Sequence, residues 1–352
     1  MRKTFLILAL ALGSLPLWAQ KATVLRQQSL SRWNIGTANY SGITSLGGNR
    51  YALVSDDEAA DGFFIFRIDL NPSTGEIVSV YLEDWKGNAE PQRNANGRSV
   101  RDCEAIAYHP STNTLFIAGE GDQSIWEYTL EGQTTGRQFS IPKQFRTIVK
   151  NGGFESLTFC QKTNRFWTTT EMTLPADGTT PSATHPGTYN LLRLQSFGED
   201  LAPLAQYAYR TEAGRSSSIG ETYAHGVSDL CALPDGRLVV MEREANIRKN
   251  YIGSECVVRL YVVNPEQAQP ITEETPLSQL SGSQFLVKQL IATFTTRIHT
   301  LNFANYEGLC LGPRLADGRQ TLILVSDSQG GAGNDLYRLK DYLKVIVLPL
   351  GY

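Results

Sequence analysis

The sequence predicts an all-β protein, a β-propeller of four-stranded antiparallel blades, and three observations support this prediction. A short motif of a polar or acidic residue, a small residue and an aliphatic residue recurs five times along the chain. Strand-like segments rich in aromatic and β-branched residues follow each copy, and turn residues separate them. The chain has 3 Met in 352 residues and few stretches with helical periodicity. Four-stranded repeats of this size are typical of propellers, in which ring closure removes exposed sheet edges.

The composition is that of a globular protein, with 41% hydrophobic and 19% charged residues. The formal charge is −3 and no run of basic residues occurs, which argues against a nucleic-acid partner. The odd number of cysteines and the absence of a CxxC motif argue against a disulfide scaffold or a zinc site. We expect them to be small buried hydrophobes: Cys103, Cys160, Cys231, Cys256 and Cys310.

The first 19 residues have the pattern of an export signal. Arg2 and Lys3 precede an apolar stretch from Phe5 to Leu12, and Ala19 is the expected last residue before cleavage. The apolar stretch is too short for a comfortable membrane span, and no other stretch is longer. We therefore expect residues 20–352 to form a single propeller domain without a membrane span, located in the periplasm or outside the cell as a monomer.

The five repeats define the inner part of each blade. The first strands open at Ser41, Glu104, Glu155, Ser228 and Glu307. The second strands run back and close on Asp56, Glu120, Glu171, Glu242 and Asp327. Two further strand candidates follow in each unit: 63–66 and 77–80, 125–128 and 138–141, 190–193 and 204–207, 257–263 and 285–291, 335–338 and 344–347. Each unit is thus a four-stranded meander.

The strand-like residues 23–26 near the N-terminus are expected to join the last blade and latch the ring. The sequence shows five units, and the longer intervals leave room for a sixth, so five or six blades are predicted. A β-sandwich would use similar strands but gives no reason for a fivefold repeat.

The repeat sends acidic residues to one face of the ring. Because the second strand runs antiparallel to the first, each opening residue lies beside the closing residue of the same unit. The expected pairs are Ser41 with Asp56, Glu104 with Glu120, Glu155 with Glu171, Ser228 with Glu242, and Glu307 with Asp327. Such pairs require a cation, basic side chains or a shared proton, so they are either structural ion pairs or parts of a functional site.

Long connections on the same face carry basic and aromatic candidates. The connections run over 84–102, 172–188, 210–227 and 243–255, whereas 264–284 is expected to be a surface excursion on the other face. The arginines are Arg98, Arg101, Arg215, Arg243, Arg248 and Arg297. Of the histidines, His185, His225 and His299 fall on this face, and His109 falls in a turn on the far side. Arginine could neutralise a carboxylate pair or bind an anionic substrate, and histidine allows acid–base chemistry.

The motifs resemble those of a known family. The segments are Ser41–Ile43, Val54–Asp56, Asp102–Ala107, Phe154–Leu157, Val239–Arg243, Tyr306–Leu309 and Leu324–Asp327. In order and number they are similar to the recurring segments of the exported bacterial β-propellers named for the "esterase-like activity of phytase". The resemblance covers the chain from about Tyr40 to Leu339.

This resemblance implies a hydrolase of ester or phosphoester bonds that uses a divalent metal, calcium, at the acidic mouth. The implied metal ligands are Asp56, Glu104, Glu155, Glu171, Glu242, Glu307 and Asp327. The predicted catalytic residues are Glu104, Glu155, Glu307 and Arg243, which the resemblance implies, and His225, which is a candidate from its connection on the acidic face. The predicted substrate-binding residues are Arg243 and, from their positions on the same face, Arg101, Arg248 and His185. The sequence contains no GxSxG motif of the kind that serine esterases use.

Two other functions remain open at this point. The first is a non-catalytic propeller that binds a carbohydrate, a peptide or an envelope partner, with Trp85, Tyr223 and Tyr251 as aromatic contacts. The second is a metal-dependent lactone hydrolase, which would use the same acidic residues.

Overall fold

The computed structural model describes residues 21–56, 61–87, 100–147, 152–182, 184–185, 187–216, 219–333 and 337–352. The predicted export signal and Arg98 lie outside these residues. The described chain forms five antiparallel sheets, four with four strands and one with a short fifth strand, and eight short 3-10 helices, without any α-helix. Within the same ranges, no helix is long and apolar enough to cross a membrane.

Each blade is a meander in which consecutive strands pair from the inside outward. Blade 1 contains β3 (Tyr40–Gly47), β4 (Arg50–Ser55), β5 (Gly62–Leu70) and β6 (Ile77–Gly87). Blade 2 contains β7 (Cys103–His109), β8 (Thr114–Gly119), β9 (Ser124–Thr129) and β10 (Thr134–Gln138). Blade 3 contains β11 (Thr158–Cys160), β12 (Arg165–Thr168), β13 (Leu191–Phe197) and β14 (Pro203–Arg210).

The last two blades complete the ring. Blade 4 contains β15 (Thr222–Ala232), β16 (Leu238–Ile247), β17 (Glu255–Val263) and β18 (Lys288–Arg297). Blade 5 contains β19 (Asn305–Arg314), β20 (Gln320–Asp327), β21 (Tyr342–Val347) and β1 (Thr23–Val24), with β2 (Gln28–Ser29) also pairing with β21. The 3-10 helices are Leu30–Trp33, Lys143–Thr147, Lys249–Tyr251, Pro265–Gln267, Leu277–Gln279, Gly282–Gln284, Ile298–Thr300 and Gln329–Gly331.

The ring closes between the two ends of the chain, as predicted. The inner strands β3, β7, β11, β15 and β19 contact one another in that order, and β19 contacts β3. In blade 5 the N-terminal strand pairs with the C-terminal one, with Thr23 opposite Val347 and Val24 opposite Ile346. The prediction of a propeller and of the latch is therefore confirmed, and the number of blades in the described chain is five.

The blades pack face to face through apolar side chains on both surfaces of each sheet. Between blades 2 and 3, the rings of Phe116, Phe139, Phe166 and Phe197 form a continuous aromatic cluster with centroid separations of 4.6–5.4 Å. Because both faces of each sheet are buried, the strand sequences are nearly continuous apolar stretches. All five cysteines are buried free thiols, as expected from the sequence.

Two outer-strand predictions were wrong. In blade 5, the described residues of segment 335–338 form only an isolated bridge between Gly333 and Arg338, and β1 supplies the fourth strand instead. In blade 2, the fourth strand ends at Gln138, whereas 138–141 was predicted. Outer strands have one exposed edge and a weaker apolar pattern, so their ends are poorly defined by sequence.

The long insertion of blade 4 is not a free surface excursion. The backbone NH of Ile271 donates to the carbonyl of Gln206 at 2.8 Å, and that of Leu286 donates to the carbonyl of Ala208 at 2.8 Å. Leu277 of the insertion is fully buried. The insertion therefore covers the open edge of β14 in blade 3, which would otherwise present unpaired backbone groups.

One buried carboxylate joins three inner strands below the channel mouth. The Asp229 side chain accepts the backbone NH of Leu230 at 2.7 Å and that of Leu309 at 2.6 Å. The backbone NH of Leu157 also donates to it. Burial raises the pKa of Asp229 well above its usual range, while the three backbone donors oppose that shift. Asp229 thereby links blades 3, 4 and 5.

We expect Asp229→Asn to lower the free energy of unfolding by about 3 kcal/mol, because the Asn side chain keeps one acceptor oxygen but replaces the other with an NH2 group that faces a buried backbone donor. Urea denaturation followed by circular dichroism measures the change. The matched control is Asp317→Asn, which alters an exposed turn carboxylate that pairs with Arg319 at 2.7 Å and should change stability by less than about 1 kcal/mol. Equal stability of Asp229→Asn and the control would contradict this role.

Candidate functional site

Every blade carries a one-residue bulge at the opening position of the repeat, which lies near the start of the inner strand in blades 1, 2, 3 and 5 and within β15 in blade 4. In blade 2, Cys103 pairs with Gly119 and Ala105 with Ala118, which leaves Glu104 as the extra residue. The same register shift occurs at Ser41, Ser228 and Glu307. In blade 3 the inner chain advances four residues, from Phe154 to Thr158, while its partner moves three, from Thr170 to Trp167. Bulges re-aim side chains, and here they mark the five opening positions of the repeat.

The opening and closing positions meet at one end of the channel, which we call the acidic mouth. It is a cavity of about 490 Å³. Its lining is Asn39, Asp56, Asp102, Glu104, Glu120, Glu155, Glu171, Thr222, Ala224, Arg243, Ala245, Ile247, Asn305, Glu307, Gln329 and Gly330. Among these described residues, seven carry carboxylates and one carries a positive charge.

The closing position of blade 4 is Arg243, which corrects the predicted pairing of Ser228 with Glu242. Val227 pairs with Glu242 and Gly226 with Arg243, so Arg243 occupies the place held by Glu120 in blade 2. Glu242 points away from the mouth. Its carboxylate accepts from the Tyr209 hydroxyl at 2.6 Å and from the Lys288 ammonium at 2.7 Å.

Arg243 lies among the carboxylates and bonds to three of its neighbours in the mouth. Its Nη1 donates to Glu307 Oε1 at 2.7 Å and to Asn305 Oδ1 at 2.9 Å, and its Nη2 donates to Glu171 Oε1. Burial alone would lower the pKa of Arg243, but Glu171, Glu307 and Glu155 raise it above its usual value. The guanidinium is therefore charged and holds carboxylates from blades 3 and 5.

On the blade 2 side, three carboxylates converge. Oxygen atoms of Asp102, Glu104 and Glu120 all lie within 4.8 Å of one another. The backbone NH of Gly153 donates to Glu120 Oε1 at 2.8 Å, which fixes that side chain. Asp102 adopts a left-handed backbone conformation with φ 52°, which Asp tolerates better than most residues. The donor set is purely carboxylate oxygen, the chemistry that Ca²⁺ prefers.

The crowding of acids raises their pKa values. Burial and then the charge of Glu155 raise the pKa of Glu104 well above its usual range, and burial and then Glu171 do the same for Glu155. Burial raises the pKa of Glu120 to about 7. Burial also raises the pKa of Glu307 to about 7, although Arg243 opposes the shift. Protons therefore occupy part of the mouth near neutral pH unless another cation replaces them.

The structure brings together six of the predicted site residues and places others elsewhere. Asp56, Glu104, Glu155, Glu171, Arg243 and Glu307 line the mouth. Asp327 closes blade 5 next to them, with its carboxylate accepting the backbone NH of Gln329 at 2.6 Å. Burial and then the charge of Glu307 raise the pKa of Asp327.

His225 does not line the mouth. It lies on the strand β15 opposite Glu244, with its ring fully buried on the face of blade 4 that packs against blade 3. Burial lowers the pKa of His225 to about 4, so the ring is neutral at physiological pH. The predicted connection 210–227 is partly strand, and the alternation of that strand sends Ala224 to the mouth and His225 away from it.

Of the four predicted substrate-binding residues, Arg243 lines the mouth, and Arg101, Arg248 and His185 lie off its lining. Arg101 is buried and bonded to Asp122 at 2.7 Å and to the carbonyl of Ile117 at 2.9 Å. Arg248 follows the end of β16. His185 is exposed in the connection between β12 and β13, with its Nδ1 3.0 Å from Thr184 Oγ1.

The aromatic residues considered for a binding platform are half-buried and are not part of the mouth lining. The Tyr223 hydroxyl donates to Glu244 Oε1 at 3.1 Å. Trp85 lies near the end of β6, and Tyr251 closes a 3-10 helix.

Asp102 and Glu120 are not among the metal ligands predicted from the sequence. Glu120 is predicted only as the closing partner of Glu104, and the family resemblance does not add it to the ligands. Asp102 had a signal of its own, because an Asn or Asp precedes the opening residue by two positions in three blades, at Asn39, Asp102 and Asn305. All three of these residues line the mouth.

The metal-free protein should lose stability as the pH rises from about 5 to 8. The folded-state pKa of Glu120 is about 7, against 4.5 for an exposed Glu, so between those values the folded protein holds protons that the unfolded chain releases. Raising the pH then favours the unfolded chain. Thermal melts in chelator should show that the Tm of the wild type falls as the pH rises. Glu120→Gln has a side chain that cannot ionise, so its Tm should rise relative to that of the wild type over the same pH range. A Tm difference between the two proteins that does not change with pH would contradict this.

Several solved structures are similar to this chain at low sequence identity. The structure of an endo-arabinase from Bacteroides thetaiotaomicron is 12% identical over 91% of this chain and 96% of that chain, with a TM-score of 0.45. A member of the duf4221 family from Bacteroides vulgatus is 9% identical over 94% and 98% of the two chains, with a TM-score of 0.39. Virginiamycin B lyase from Staphylococcus aureus is 10% identical over 94% and 100%, with a TM-score of 0.35. We draw no functional conclusion from likenesses at this level.

No curated protein matches the sequence significantly. Residues 35–329 match the family described as "Phytase-like: Esterase-like activity of phytase". The match includes all five inner hairpins and every residue of the acidic mouth except Gly330. The chain therefore belongs to the Phytase-like family.

Proposed function

We propose that this protein is an exported hydrolase of ester or phosphoester bonds that works with a divalent cation, calcium, at the acidic mouth, in the periplasm or outside the cell. Membership of the Phytase-like family supports the hydrolase class. The observation that carries the proposal is the convergence of Asp102, Glu104 and Glu120 within 4.8 Å at the mouth of a central channel.

The blade 2 carboxylates are the proposed cation ligands. Asp102, Glu104 and Glu120 supply oxygen atoms from one blade, and Asp56 and Glu155 line the same cavity on the neighbouring blades. Calcium takes six to eight oxygen ligands in flexible geometry, which a ring of side chains on rigid strands can provide. When bound, the cation supplies Lewis-acid polarisation of an ester or phosphoryl oxygen and charge that attracts an anionic group.

Glu307 is the proposed general base. Its Oε1 accepts from Asn305 Nδ2 at 2.6 Å and from Arg243 at 2.7 Å, so two neighbours orient the carboxylate. A pKa of about 7 matches the requirement for proton transfer near neutral pH. Burial and then the charge of Glu171 raise the pKa of Glu155 well above its usual range, which suits the proposed role of proton donor to the leaving group.

The inner hairpin of blade 4 forms an apolar wall beside these acids. Thr222, Ala224, Ala245 and Ile247 line the mouth on the extension of β15 and β16 beyond the bulge. Apolar walls exclude water and strengthen electrostatic interactions with a bound substrate.

The mouth favours substrates with one ester or phosphate group. Among its described lining residues the only basic side chain is Arg243, whose terminal nitrogens are engaged by Glu171, Glu307 and Asn305. A highly charged polyphosphate would need several cationic side chains for binding. We therefore propose simple phosphomonoesters, acyl esters or lactones as the substrate class rather than phytate.

Calcium should bind to the wild-type protein, and Glu104→Gln should weaken binding by at least about tenfold, or about 1.4 kcal/mol, because one charged ligand is lost. Isothermal titration calorimetry measures the affinity. Glu266→Gln is the control, since Glu266 lies on the surface with Arg165 at 3.0 Å. If Glu104→Gln binds calcium as tightly as the control does, the assignment of Glu104 as a calcium ligand is wrong.

Hydrolysis should depend on calcium and on Glu307. A screen of phosphomonoesters, phytate, short acyl esters and lactones, with calcium and with chelator, identifies the bond cleaved. We expect Glu307→Gln to lower kcat by about 10²- to 10⁴-fold, the usual contribution of a general base, without loss of the native circular dichroism spectrum.

Two outcomes of the screen would count against the enzyme. Inactivity on all four substrate classes in calcium would favour the alternative of a non-catalytic binding propeller. Activity that persists in chelator would contradict the role of the cation.

A further inference from the structure

We propose that Arg243 is a resident cation that fills a second cation position in the acidic mouth, and that its removal would open a divalent-cation site formed by Glu171, Glu307 and Asn305. The inference extends the cation site of the proposed function, but it concerns a different part of the mouth. It assigns to Arg243 a positioning role instead of the substrate clamp expected from the sequence.

The repeat itself shows that Arg243 stands where the other blades place a carboxylate. The closing positions of blades 1, 2, 3 and 5 are Asp56, Glu120, Glu171 and Asp327. In blade 4 the register puts Arg243 at this position, opposite Gly226. Gly226 allows the backbone of blade 3 to approach blade 4 closely here, because a Cβ at this residue would lie 2.2 Å from the carbonyl oxygen of Glu171.

The bonds of Arg243 are those of a bridging cation. It contacts Glu171 from blade 3 and Glu307 from blade 5, the two blades that flank its own. Asn305 Oδ1 lies 2.9 Å from Nη1 and adds an amide oxygen to the same set. The side chain of Arg243 is only 6% exposed, and those of Glu171 and Glu307 are 4% and 9% exposed. Truncating one partner of such a buried pair leaves the remaining charges without compensation.

The two carboxylates bonded to Arg243 repel one another, since the charge of Glu171 acts on Glu307. With the guanidinium removed, these two carboxylates and the amide oxygen of Asn305 remain around one buried position. This is an all-oxygen set of the kind that binds calcium. The arginine thereby confines the exchangeable cation to the blade 2 side.

Calcium stoichiometry tests the inference. Calorimetric titration with CaCl₂ should give one calcium per wild-type chain and two per Arg243→Gln chain. Arg243→Lys is the matched control, since it keeps a positive charge at the position, and it should bind one. The double variant Arg243→Gln/Glu171→Gln should return to one, because the new site loses a ligand.

Thermal melts keep the test decisive if the variant is unstable. Calcium should raise the Tm of Arg243→Gln more than that of the wild type, or restore folding to a variant that is unfolded in chelator. An Arg243→Gln protein that binds one calcium with wild-type affinity, or one that stays unfolded in millimolar calcium while Arg243→Lys folds, would overturn the inference.

The outcomes separate this inference from the proposed function. A wild-type protein that binds no calcium would contradict the cation site of blade 2. An Arg243→Gln variant that gains one calcium over the wild type would still support the role of Arg243. A wild-type protein with one calcium and a variant with no additional one would leave the proposed function standing and reject the resident cation.

Discussion

Repulsion among buried carboxylates at the channel mouth is the constraint on which the rest of the site depends. The bulges at the start of the inner strands bring acidic side chains from four blades to one cavity, where burial strengthens every charge interaction. Such a cavity is stable only with compensating positive charge. Arg243 supplies it for blades 3 and 5, and the proposed function assigns the same role to a divalent cation on the blade 2 side.

The scaffold is built to hold these charges in place. Pairing of the chain ends in blade 5 closes the ring, and Asp229 links three inner strands below the mouth. The insertion of blade 4 covers the open edge of blade 3. A rigid ring keeps the carboxylates from moving apart to relieve their repulsion, which supports the proposed binding of a cation at the mouth.

Much of the fold could be predicted because its repeat is strong in the inner strands. The opening residues, the second strands and the N-terminal latch follow from sequence pattern alone. The outer strands could not be placed as well, since residues such as Phe139 pack between blades from a connection just beyond β10 and give the same apolar signal as a strand. The covered edge of blade 3 required a contact between segments about 65 residues apart, Gln206 and Ile271, which no local pattern encodes.

The site was predicted less completely, and the reason is register. A one-residue bulge reverses which side chains face the channel, so Arg243 rather than Glu242 reaches the mouth. The sequence does carry a signal for this register. Arg243 follows Ser228 by 15 residues, the same spacing as between Ser41 and Asp56 in blade 1. The position of His225 could not be predicted without knowing that its segment is a strand, because only the alternation of side chains along that strand places Ala224 in the mouth and His225 away from it.

In the proposed function, the acidic mouth binds a divalent cation through Asp102, Glu104 and Glu120. An anomalous difference map from crystals grown in calcium tests this binding. We expect a peak in the mouth at about 2.3–2.6 Å from oxygen atoms of these three carboxylates. A mouth that contains only water, with the three carboxylates bonded to basic side chains of the protein, would contradict it.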